Sequence, residues 1–450
     1  MKNLILALGT LLAILGITVF PCYAQGNVIY GCYQKNEGQL RIVSNPNSCR
    51  PSEIPISWYG GGPGVPVEND ITVDCNLGQT ISSALESIPG RPLIITVRGI
   101  CNENIILTRD DVTLKADANA GGGIFGPDQN KDAILIKGSR AVLTGMDISG
   151  GYNAVRVTGD ATIKGCTLHN AFVRGVWVFH GGRALLDNNT IKKNQRQGVF
   201  VEGSQATLLN NTITENGSAG VQVQGSGFAR IGIPDDNITV GPGKTPYAKN
   251  YISKNGGTGI LVQFSASAIV GGNDITGNGT NYANFWNQYG VFAGDNGMLE
   301  IVGGNNISDN IAGGVVTARN GSIRFGNTGW GTPVDHDHLN IITRNGSGAP
   351  GFGGIQTVLG STIDFWGYVS ATGNYNWDLL IEKNSMARFR GSENTVGYIT
   401  LHTGASVFFD AAASVLNGIN CDNTGMVGGN LGGLPKKSDG SPNIDGCATY

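Results

Sequence analysis

Short alternating hydrophobic segments recur along most of the chain, and they predict strands rather than helices. From residue 132 to residue 418 the pattern repeats with a step of about 20 to 24 residues, which is typical of a solenoid. The clearest element is Asn-x-Ile-x-x-Asn. It occurs six times, at Asn189/Asn194, Asn211/Asn216, Asn250/Asn255, Asn273/Asn278, Asn305/Asn310 and Asn340/Asn345.

Two further strands complete each repeat. A Gly-Val-x-Val segment follows the second asparagine, as at residues 198–201 and 220–223, and an Ala-x-Leu segment comes next, as at 184–186 and 206–208. Three strands per repeat describe one coil of an all-β solenoid, in which stacked strands lie about 4.8 Å apart. We expect about a dozen coils, with corner asparagines stacked as amide ladders. Cys166 occupies the corner that Asn189 fills in the next coil, so we expect it to be a buried ladder residue rather than a reactive thiol.

The remaining segments are predicted to close the solenoid. Residues 67–131 form an N-terminal cap with the first coils, and Thr80 to Ser87 is the one good helix candidate. Residues 132–418 hold the repeats, and 419–450 form a C-terminal cap. Ahead of the solenoid, residues 25–66 are predicted to be a small cysteine-pair module followed by a linker.

Composition supports a turn-rich β protein. The chain has 450 residues with 71 glycines, and glycine costs about 1 kcal/mol at a helical position. Charged residues make up 14% and the formal net charge is −3, with no basic block of the kind that nucleic acid attracts. No nucleic-acid partner is therefore expected.

The first 24 residues are typical of a secretory signal peptide. Lys2 precedes an apolar run from Leu4 to Phe20, and Cys22-Tyr23-Ala24 places small residues at a cleavage site. An uncleaved membrane anchor is the alternative, because 17 apolar residues is the lower limit for a span. No later run is long enough, so the mature chain is expected to be exported, in the periplasm, secreted or at the cell surface, without a transmembrane span.

Cysteine usage agrees with export. Six cysteines form three local pairs, and we expect disulfides that each close a small loop. The pairs are Cys32 with Cys49, Cys75 with Cys101, and Cys421 with Cys447. No spacing typical of a zinc site occurs, and no metal or cofactor is predicted.

The Asn-x-Ile-x-x-Asn and Gly-Val-x-Val repeats resemble those of the right-handed parallel β-helix proteins of the pectate-lyase-like superfamily. The resemblance extends over about residues 70 to 430 and implies a right-handed parallel β-helix. That fold includes lyases, hydrolases, epimerases, adhesins and phage tailspikes, so the resemblance implies an architecture and not one activity.

In pectate lyases and pectinases the substrate lies along the outward face of the Gly-Val-x-Val sheet. Alternation predicts which residues form that face in this chain. The first column is Arg156, Trp177, Phe200, Gln222, Leu261, Phe292, Val316 and Gln356, and the second includes Thr158, Phe179, Glu202, Gln224 and Gln263. Aromatic rings and amides suit a polysaccharide. Two alternatives are that a loop covers the apolar column, or that another copy of the chain does, which would make a homo-oligomer.

Candidates for catalysis are weaker. Glu202 and Asp295 are the outward acids near this sheet, but they lie on different coils, whereas glycoside hydrolysis needs two carboxylates within about 5 to 10 Å. An insertion near residue 286 is aromatic and includes Trp286. Another insertion contains Asp335, His336, Asp337 and His338, which could ligate a metal or supply a base, although an exposed polar loop is the simpler interpretation.

We therefore expect an exported β-helix that binds extracellular or cell-surface polysaccharide, without an identifiable catalytic set. A polysaccharide lyase, glycoside hydrolase or uronate epimerase is the first alternative. A structural or adhesin-type surface oligomer is the second.

Overall fold

The computed structural model describes residues 28–34, 40–45, 48–51, 53–59, 69–88, 92–234, 247–281, 288–326, 339–348, 353–367, 369–391, 394–411 and 413–449. The predicted signal peptide and the linker at 60–66 lie outside these residues. The chain divides into two compact units, Met1–Val67 and Glu68–Tyr450.

The first unit contains an antiparallel sheet of three strands in the order β2-β1-β3. The strands are β1 (Val28–Gln34), β2 (Leu40–Val43) and β3 (Glu53–Tyr59). Cys32 and Cys49 form a disulfide across it, as predicted. Arg41 and Glu53 pair at 2.7 Å, and this contact holds the pKa of the Glu53 carboxyl below its usual value.

The second unit begins with a cap. Strand β4 (Asn69–Asp74) leads through a 3-10 turn at Cys75–Leu77 into helix α1 (Ile81–Ser87), which confirms the predicted helix. The Thr80 side chain caps the helix by accepting a hydrogen bond from the Ser83 N–H. The predicted disulfide between Cys75 and Cys101 is present.

Beyond the cap, each coil contributes one strand to each of three parallel sheets, as the repeats predicted. The valine sheet contains the Gly-Val-x-Val segments and has fourteen strands in the described part of the chain. They are β6 (Ile105–Leu107), β9 (Ile134–Ile136), β12 (Asn153–Val157), β15 (Arg174–Phe179), β18 (Val199–Glu202), β21 (Val221–Gln224), β24 (Ile260–Gln263), β27 (Tyr289–Gly294), β30 (Gly313–Ala318), β33 (Ile355–Thr357), β36 (Leu379–Glu382), β39 (Ile399–His402), β42 (Ile419–Cys421) and β44 (Ile444–Asp445).

The alanine sheet contains the Ala-x-Leu segments. Its strands are β4, β5 (Leu93–Asn102), β7 (Val112–Ala116), β10 (Ala141–Thr144), β13 (Asp160–Lys164), β16 (Arg183–Asp187), β19 (Gln205–Leu209), β22 (Phe228–Ile231), β25 (Ser267–Gly271), β28 (Met298–Gly303), β31 (Ser322–Phe325), β34 (Thr362–Phe365), β37 (Met386–Phe389), β40 (Ser406–Phe409), β43 (Met426–Gly429) and β45 (Ala448–Thr449).

The asparagine sheet contains the Asn-x-Ile segments. The second half of β5 begins it. Its other strands are β8 (Gly122–Gly126), β11 (Asp147–Gly150), β14 (Thr167–His169), β17 (Thr190–Lys192), β20 (Thr212–Thr214), β23 (Tyr251–Ser253), β26 (Asp274–Thr276), β29 (Asn306–Ser308), β32 (Asn340–Thr343), β35 (Val369–Ala371), β38 (Asn394–Val396) and β41 (Ser414–Val415).

Inward side chains of the three sheets form one continuous apolar core. The inward valines of the Gly-Val-x-Val segments are fully buried, for example Val176 and Val178 on β15. Toward the C-terminal end, four phenylalanines of the alanine sheet stack in register with ring centroids 4.4 to 5.2 Å apart. They are Phe325, Phe365, Phe389 and Phe409. One column of the core thus becomes aromatic in these coils, while neighbouring core residues such as Ile381 and Leu401 remain aliphatic.

Two asparagine ladders run along the two sides of the asparagine sheet, one at the starts and one at the ends of its strands. The first contains Asn189, Asn211, Asn250, Asn273, Asn305 and Asn340, and the second contains Asn194, Asn216, Asn255, Asn278, Asn310, Asn345 and Asn374. In each ladder the side-chain amide of one asparagine donates to the side-chain oxygen of the next, at 2.8 to 3.2 Å. That oxygen also accepts the backbone N–H of the preceding asparagine, so the buried ladder oxygens are satisfied. The side-chain nitrogen of Asn340, at the end of the first ladder, has no hydrogen-bond partner among the described residues.

The second ladder explains the glycine of Gly-Val-x-Val. A Cβ built on Gly220 would lie 2.6 Å from Ile252 Cγ2 and 2.8 Å from the Asn255 side-chain nitrogen. The same clash occurs at Gly198, against Asn216. Glycine recurs at this position because the ladder amide of the next coil occupies the space of a side chain.

Cys166 begins the first ladder, as predicted. Its N–H donates to the Asn189 side-chain oxygen at 2.9 Å, and it is the free cysteine of the described residues. Burial raises the pKa of its thiol to about 11, so the reactive thiolate is suppressed.

The C-terminal coils end near the predicted disulfide between Cys421 and Cys447. No helix among the described residues is long and apolar enough to cross a membrane.

Candidate functional site

The outward column of the valine sheet has the predicted register. Arg156 on β12 pairs with Trp177 on β15, and Phe200 on β18 and Gln222 on β21 follow in order. The column continues through Leu261, Phe292, Val316 and Gln356. In the second column, Phe179, Glu202 and Gln224 are adjacent. Their common direction follows from the two-residue period of a strand.

An aromatic pair lies at the N-terminal end of this face. The rings of Trp177 and Phe179 are 4.4 Å apart between centroids, and the His180 ring contacts Phe179 edge-on at 3.9 Å. Both aromatic rings are partly accessible. The pair presents a broad apolar surface bordered by polar groups.

Two arginines lie over the Trp177 ring. The Arg174 guanidinium carbon is 4.7 Å from the Trp177 centroid and 4.4 Å from that of Phe200, while Arg156 is 5.5 Å from Trp177. Such cation–π contacts orient the guanidinium groups. Burial lowers the pKa of Arg174, and among the described residues no carboxylate forms an ion pair with it.

Arg156 differs from Arg174 because a buried carboxylate neutralises it. Its Nε lies 2.7 Å from Asp132 Oδ2, and the Asn153 side-chain nitrogen donates to Asp132 Oδ1 at 2.6 Å. Asp132 therefore holds Arg156 in place. Sequence reasoning missed Asp132 and Arg174, although Arg174 stands directly before the Gly-Val-x-Val pattern.

A chain of amide hydrogen bonds follows the aromatic pair. Gln197 donates to Gln222 at 2.6 Å, Gln222 donates to Gln224 at 2.9 Å, and Gln224 donates to Glu202 at 3.0 Å. Gln263, on the next coil, donates to Gln224 at 3.3 Å. The face thus changes from aromatic to amide over neighbouring coils.

The middle of the first column is covered, which corrects part of the predicted face. Phe200 and Phe292 are only 3% and 4% exposed, and Gln222 is also buried. Phe292 stacks on Tyr289 with centroids 5.7 Å apart, and burial raises the pKa of Tyr289 to about 12. Leu261 and Val316 join the same small cluster. This stretch is therefore buried, and the accessible predicted residues are Arg156, Thr158, Trp177, Phe179, Glu202, Gln224, Gln263 and Gln356.

The two predicted acids on this face each have a hydrogen-bond partner. Asp295 is engaged by Arg319, whose Nη2 donates to Asp295 Oδ2 at 2.8 Å. Glu202 accepts from Gln224. The predicted candidates Trp286, Asp335, His336, Asp337 and His338 lie outside the described residues.

One cluster of described side chains has the composition of a metal site, but it is formed by Cys32, Cys49 and Glu53. The two cysteines are joined by a disulfide, so they offer no thiolate.

Comparison with known proteins agrees with the coil geometry. Residues 119–247 match the family model described as "Right handed beta helix region". The protein is a right-handed parallel β-helix. The β-helix fold expected from the repeats is thereby confirmed. No curated protein matches the sequence.

Solved structures similar to this β-helix have low identity. A pectate lyase, Pel9A, is 13% identical over 69% of this chain and 80% of its own, with a TM-score of 0.37. The A-module of a mannuronan C-5 epimerase from Azotobacter vinelandii is 13% identical over 82% of this chain and 93% of its own, with a TM-score of 0.39. An alginate lyase from Paenibacillus sp. strain FPU-7 is 14% identical over 85% and 99%, with a TM-score of 0.22.

Proposed function

We propose that this β-helix binds a polysaccharide on the accessible part of the valine sheet, from β12 to β24. The observation that carries the proposal is the Trp177–Phe179 ring pair standing beside the hydrogen-bonded series Gln222, Gln224 and Glu202 on the next coils. An apolar platform next to amides is the pattern that a sugar chain requires.

The chemistry follows from the two faces of a sugar. The C–H side of a pyranose ring packs on an aromatic face, and its hydroxyls exchange hydrogen bonds with amide and carboxylate groups. Trp177 and Phe179 offer the platform. Glu202 and Gln224 offer an acceptor and an amide at the next two coils, spaced about 4.8 Å apart along the stack. A linear polymer lying across the strands would therefore meet a new side chain at every coil.

Arg174 adds a cation to this face. It lies over Trp177 and Phe200, and the described residues give it no carboxylate partner. Its guanidinium can pair with a sugar carboxylate or donate to hydroxyls. Arg156 is already paired with Asp132, and its guanidinium group contacts the Trp177 ring and helps to position it.

Export is part of the proposal. The apolar run at residues 4–20 and the three disulfides support a location outside the cytoplasm, where polysaccharide is accessible.

The test is affinity electrophoresis of the purified protein on a panel of neutral and uronate polysaccharides. Trp177→Ala should weaken binding at least about tenfold, which corresponds to about 1.4 kcal/mol. Tyr251→Ala is the control, because Tyr251 is an exposed aromatic on the asparagine sheet, and this variant should bind as the wild type does. Equal loss in both variants, or no loss in Trp177→Ala, would contradict the proposal.

Two further measurements separate the alternatives. Unsaturated products or new reducing ends that disappear in Glu202→Gln would show turnover on this face and overturn a binding-only role. Light scattering measures the oligomeric state. A wild-type dimer that binds no polysaccharide and becomes a monomer in Trp177→Ala would instead identify the face as a contact between copies of the chain.

A further inference from the structure

Asparagine followed by glycine occurs seven times in the chain, and this dipeptide can react with itself. The glycine nitrogen can attack the side-chain carbonyl carbon of the asparagine, because glycine has no Cβ to hinder the approach. Four of the seven pairs begin in the second ladder, at Asn216, Asn255, Asn278 and Asn345. The other three begin at exposed residues, Asn296, Asn320 and Asn417. The same dipeptide thus occurs in very different surroundings.

The ladder holds both groups that would have to react. The Asn216 side-chain nitrogen donates to the Asn255 side-chain oxygen at 3.0 Å and to the Ile191 carbonyl oxygen at 3.1 Å. The Gly217 N–H, which is the attacking group, donates to the Asn194 carbonyl oxygen at 2.9 Å. The glycines after the other three ladder asparagines are held in the same way, at 2.7 to 2.9 Å. Reaction inside the ladder therefore requires that buried hydrogen bonds open first.

Asn296 and Asn320 are exposed, but the glycines that follow them are restrained. Each pair lies in a tight turn in which the glycine N–H donates to the carbonyl oxygen three residues earlier, at 2.8 and 3.1 Å. Both asparagines have left-handed backbone, with φ of 62° and 59°. In these turns the side chain is accessible, whereas the attacking nitrogen is hydrogen-bonded.

Asn417 and Gly418 form the third exposed pair, and their surroundings differ from those of the other pairs. Within the part of the chain that the structure describes, no hydrogen bond engages the Asn417 side chain or the Gly418 N–H. The backbone beside them is fixed, because the Asn417 N–H donates to the Gly397 carbonyl oxygen at 2.7 Å and the Asn417 carbonyl oxygen accepts from the Asn443 side chain at 3.1 Å. Gly418 has a φ of 101°, a conformation that favours glycine.

We propose that Asn417 is a site of spontaneous deamidation, and that the second ladder protects its own Asn-Gly pairs from the same reaction. The Gly418 nitrogen bonds to Asn417 Cγ, the bond from Cγ to Nδ2 breaks, and ammonia leaves with the proton of the Gly418 nitrogen. Water then opens the resulting five-membered imide ring at one of its two carbonyl carbons. The product is aspartate, or isoaspartate when the main chain runs through Cβ. This modification does not depend on polysaccharide binding.

The modification should loosen the last coils. Residue 417 lies just before β42, where Ile419 pairs with Ile399 on β39 and with Ile444 on β44. Isoaspartate lengthens the main chain at this point by one methylene group and adds a negative charge. The disulfide between Cys421 and Cys447 keeps the segment attached. We therefore expect faster amide hydrogen exchange in β42 and β44 of the modified protein, without unfolding of the earlier coils.

The test is incubation of the purified protein in mildly alkaline buffer, with deamidation located by peptide mass spectrometry. The peptide with Asn417 should react at least about tenfold faster than the peptides with Asn216 and Asn255, and those with Asn296 and Asn320 should lie between. In denaturant all seven pairs should react at similar rates, because only the local sequence then matters. Asn417→Gln is the control. Its longer side chain does not form the five-membered ring, so exchange in β42 should stay constant during the incubation.

Three results would contradict the proposal. Absence of deamidation at Asn417 over a time in which the denatured chain reacts there overturns the site, and so do equal rates at Asn417 and at the ladder asparagines. Equal rates at Asn417, Asn296 and Asn320 would show that exposure decides the reaction and that the Gly418 N–H does not. Unchanged exchange in β42 and β44 after deamidation would disprove the loosening of the last coils.

Discussion

The side-chain amide of Asn374 donates to Asp378 Oδ1 at 2.9 Å, so the second asparagine ladder ends on a carboxylate. The Asn374 backbone N–H donates to the same oxygen at 3.1 Å. Each earlier asparagine of the ladder donates to the asparagine of the next coil. The residue that ends the ladder must therefore accept hydrogen bonds, and an ionised carboxylate does so without adding a donor that needs a partner of its own. Asp378 therefore acts as a terminator of the ladder.

Replacing this terminator should destabilise the C-terminal coils. Asp378→Ala leaves two donors unsatisfied at a site that is 8% exposed, and each lost partner costs about 1–3 kcal/mol. Asp378→Asn keeps an acceptor oxygen and should cost less. Thermal unfolding of the two variants checks this order, and equal melting temperatures would contradict the terminator role.

A methyl group at Gly220 should be strongly destabilising. Gly220→Ala places a Cβ 2.8 Å from the Asn255 side-chain nitrogen and 2.8 Å from the Gly259 carbonyl oxygen, and neither can move without breaking the ladder. We expect about 1–3 kcal/mol, as for overpacking in a core. The neighbouring change Ser218→Ala is the control. The free energy of unfolding of both variants is measured with denaturant. Equal values for Gly220→Ala and Ser218→Ala would show that the ladder accommodates the added methyl group.

The coil could be predicted because its rules are local. Alternation, the Asn-x-Ile spacing and the Gly before each valine strand all lie within one repeat, and stacking places identical residues on each other. The sequence therefore predicts the register from Arg156 to Gln356 along the valine sheet.

The sequence left the covering of this face open, because alternation shows which residues face outward and not what packs on them. Leu261 and Phe292 belong to the predicted column, and Tyr289, at the start of β27, and Ala219 form one small buried cluster with them.

Glu103 should fasten the N-terminal cap. Its carboxylate accepts hydrogen bonds from the Ile81 N–H at 2.7 Å and from the Ser82 hydroxyl at 2.6 Å, at the N-terminus of α1. We expect Glu103→Ala to lower the free energy of unfolding by about 0.5–2 kcal/mol. Glu86→Ala, on the exposed side of the same helix, should change it by no more than about 0.5 kcal/mol. Amide hydrogen exchange should become faster in α1 and β5 of Glu103→Ala. Unchanged exchange in this variant would contradict the role of Glu103 in holding the cap.

Cys166 should be chemically silent in the folded protein. Its pKa of about 11 and its burial leave almost no accessible thiolate at pH 8. Iodoacetamide should modify Cys166 only after denaturation, as located by peptide mass spectrometry. Rapid modification of the native protein would mean that the first ladder opens at this corner, contrary to its hydrogen bond with Asn189.

Asp422 should make the last coils sensitive to acid. Hydrogen bonds from the Thr424 hydroxyl and the Thr403 N–H lower the pKa of its carboxyl to about 2. In the unfolded chain the pKa of an aspartate is about 3.9. A folded-state pKa below the unfolded value contributes stability above about pH 4, and that contribution is lost as the pH falls toward about 2. Asp422→Asn should therefore melt below the wild type at pH 7, and the difference should shrink at pH 2. A difference that is the same at both pH values would show that shape, and not the charge of Asp422, stabilises this turn.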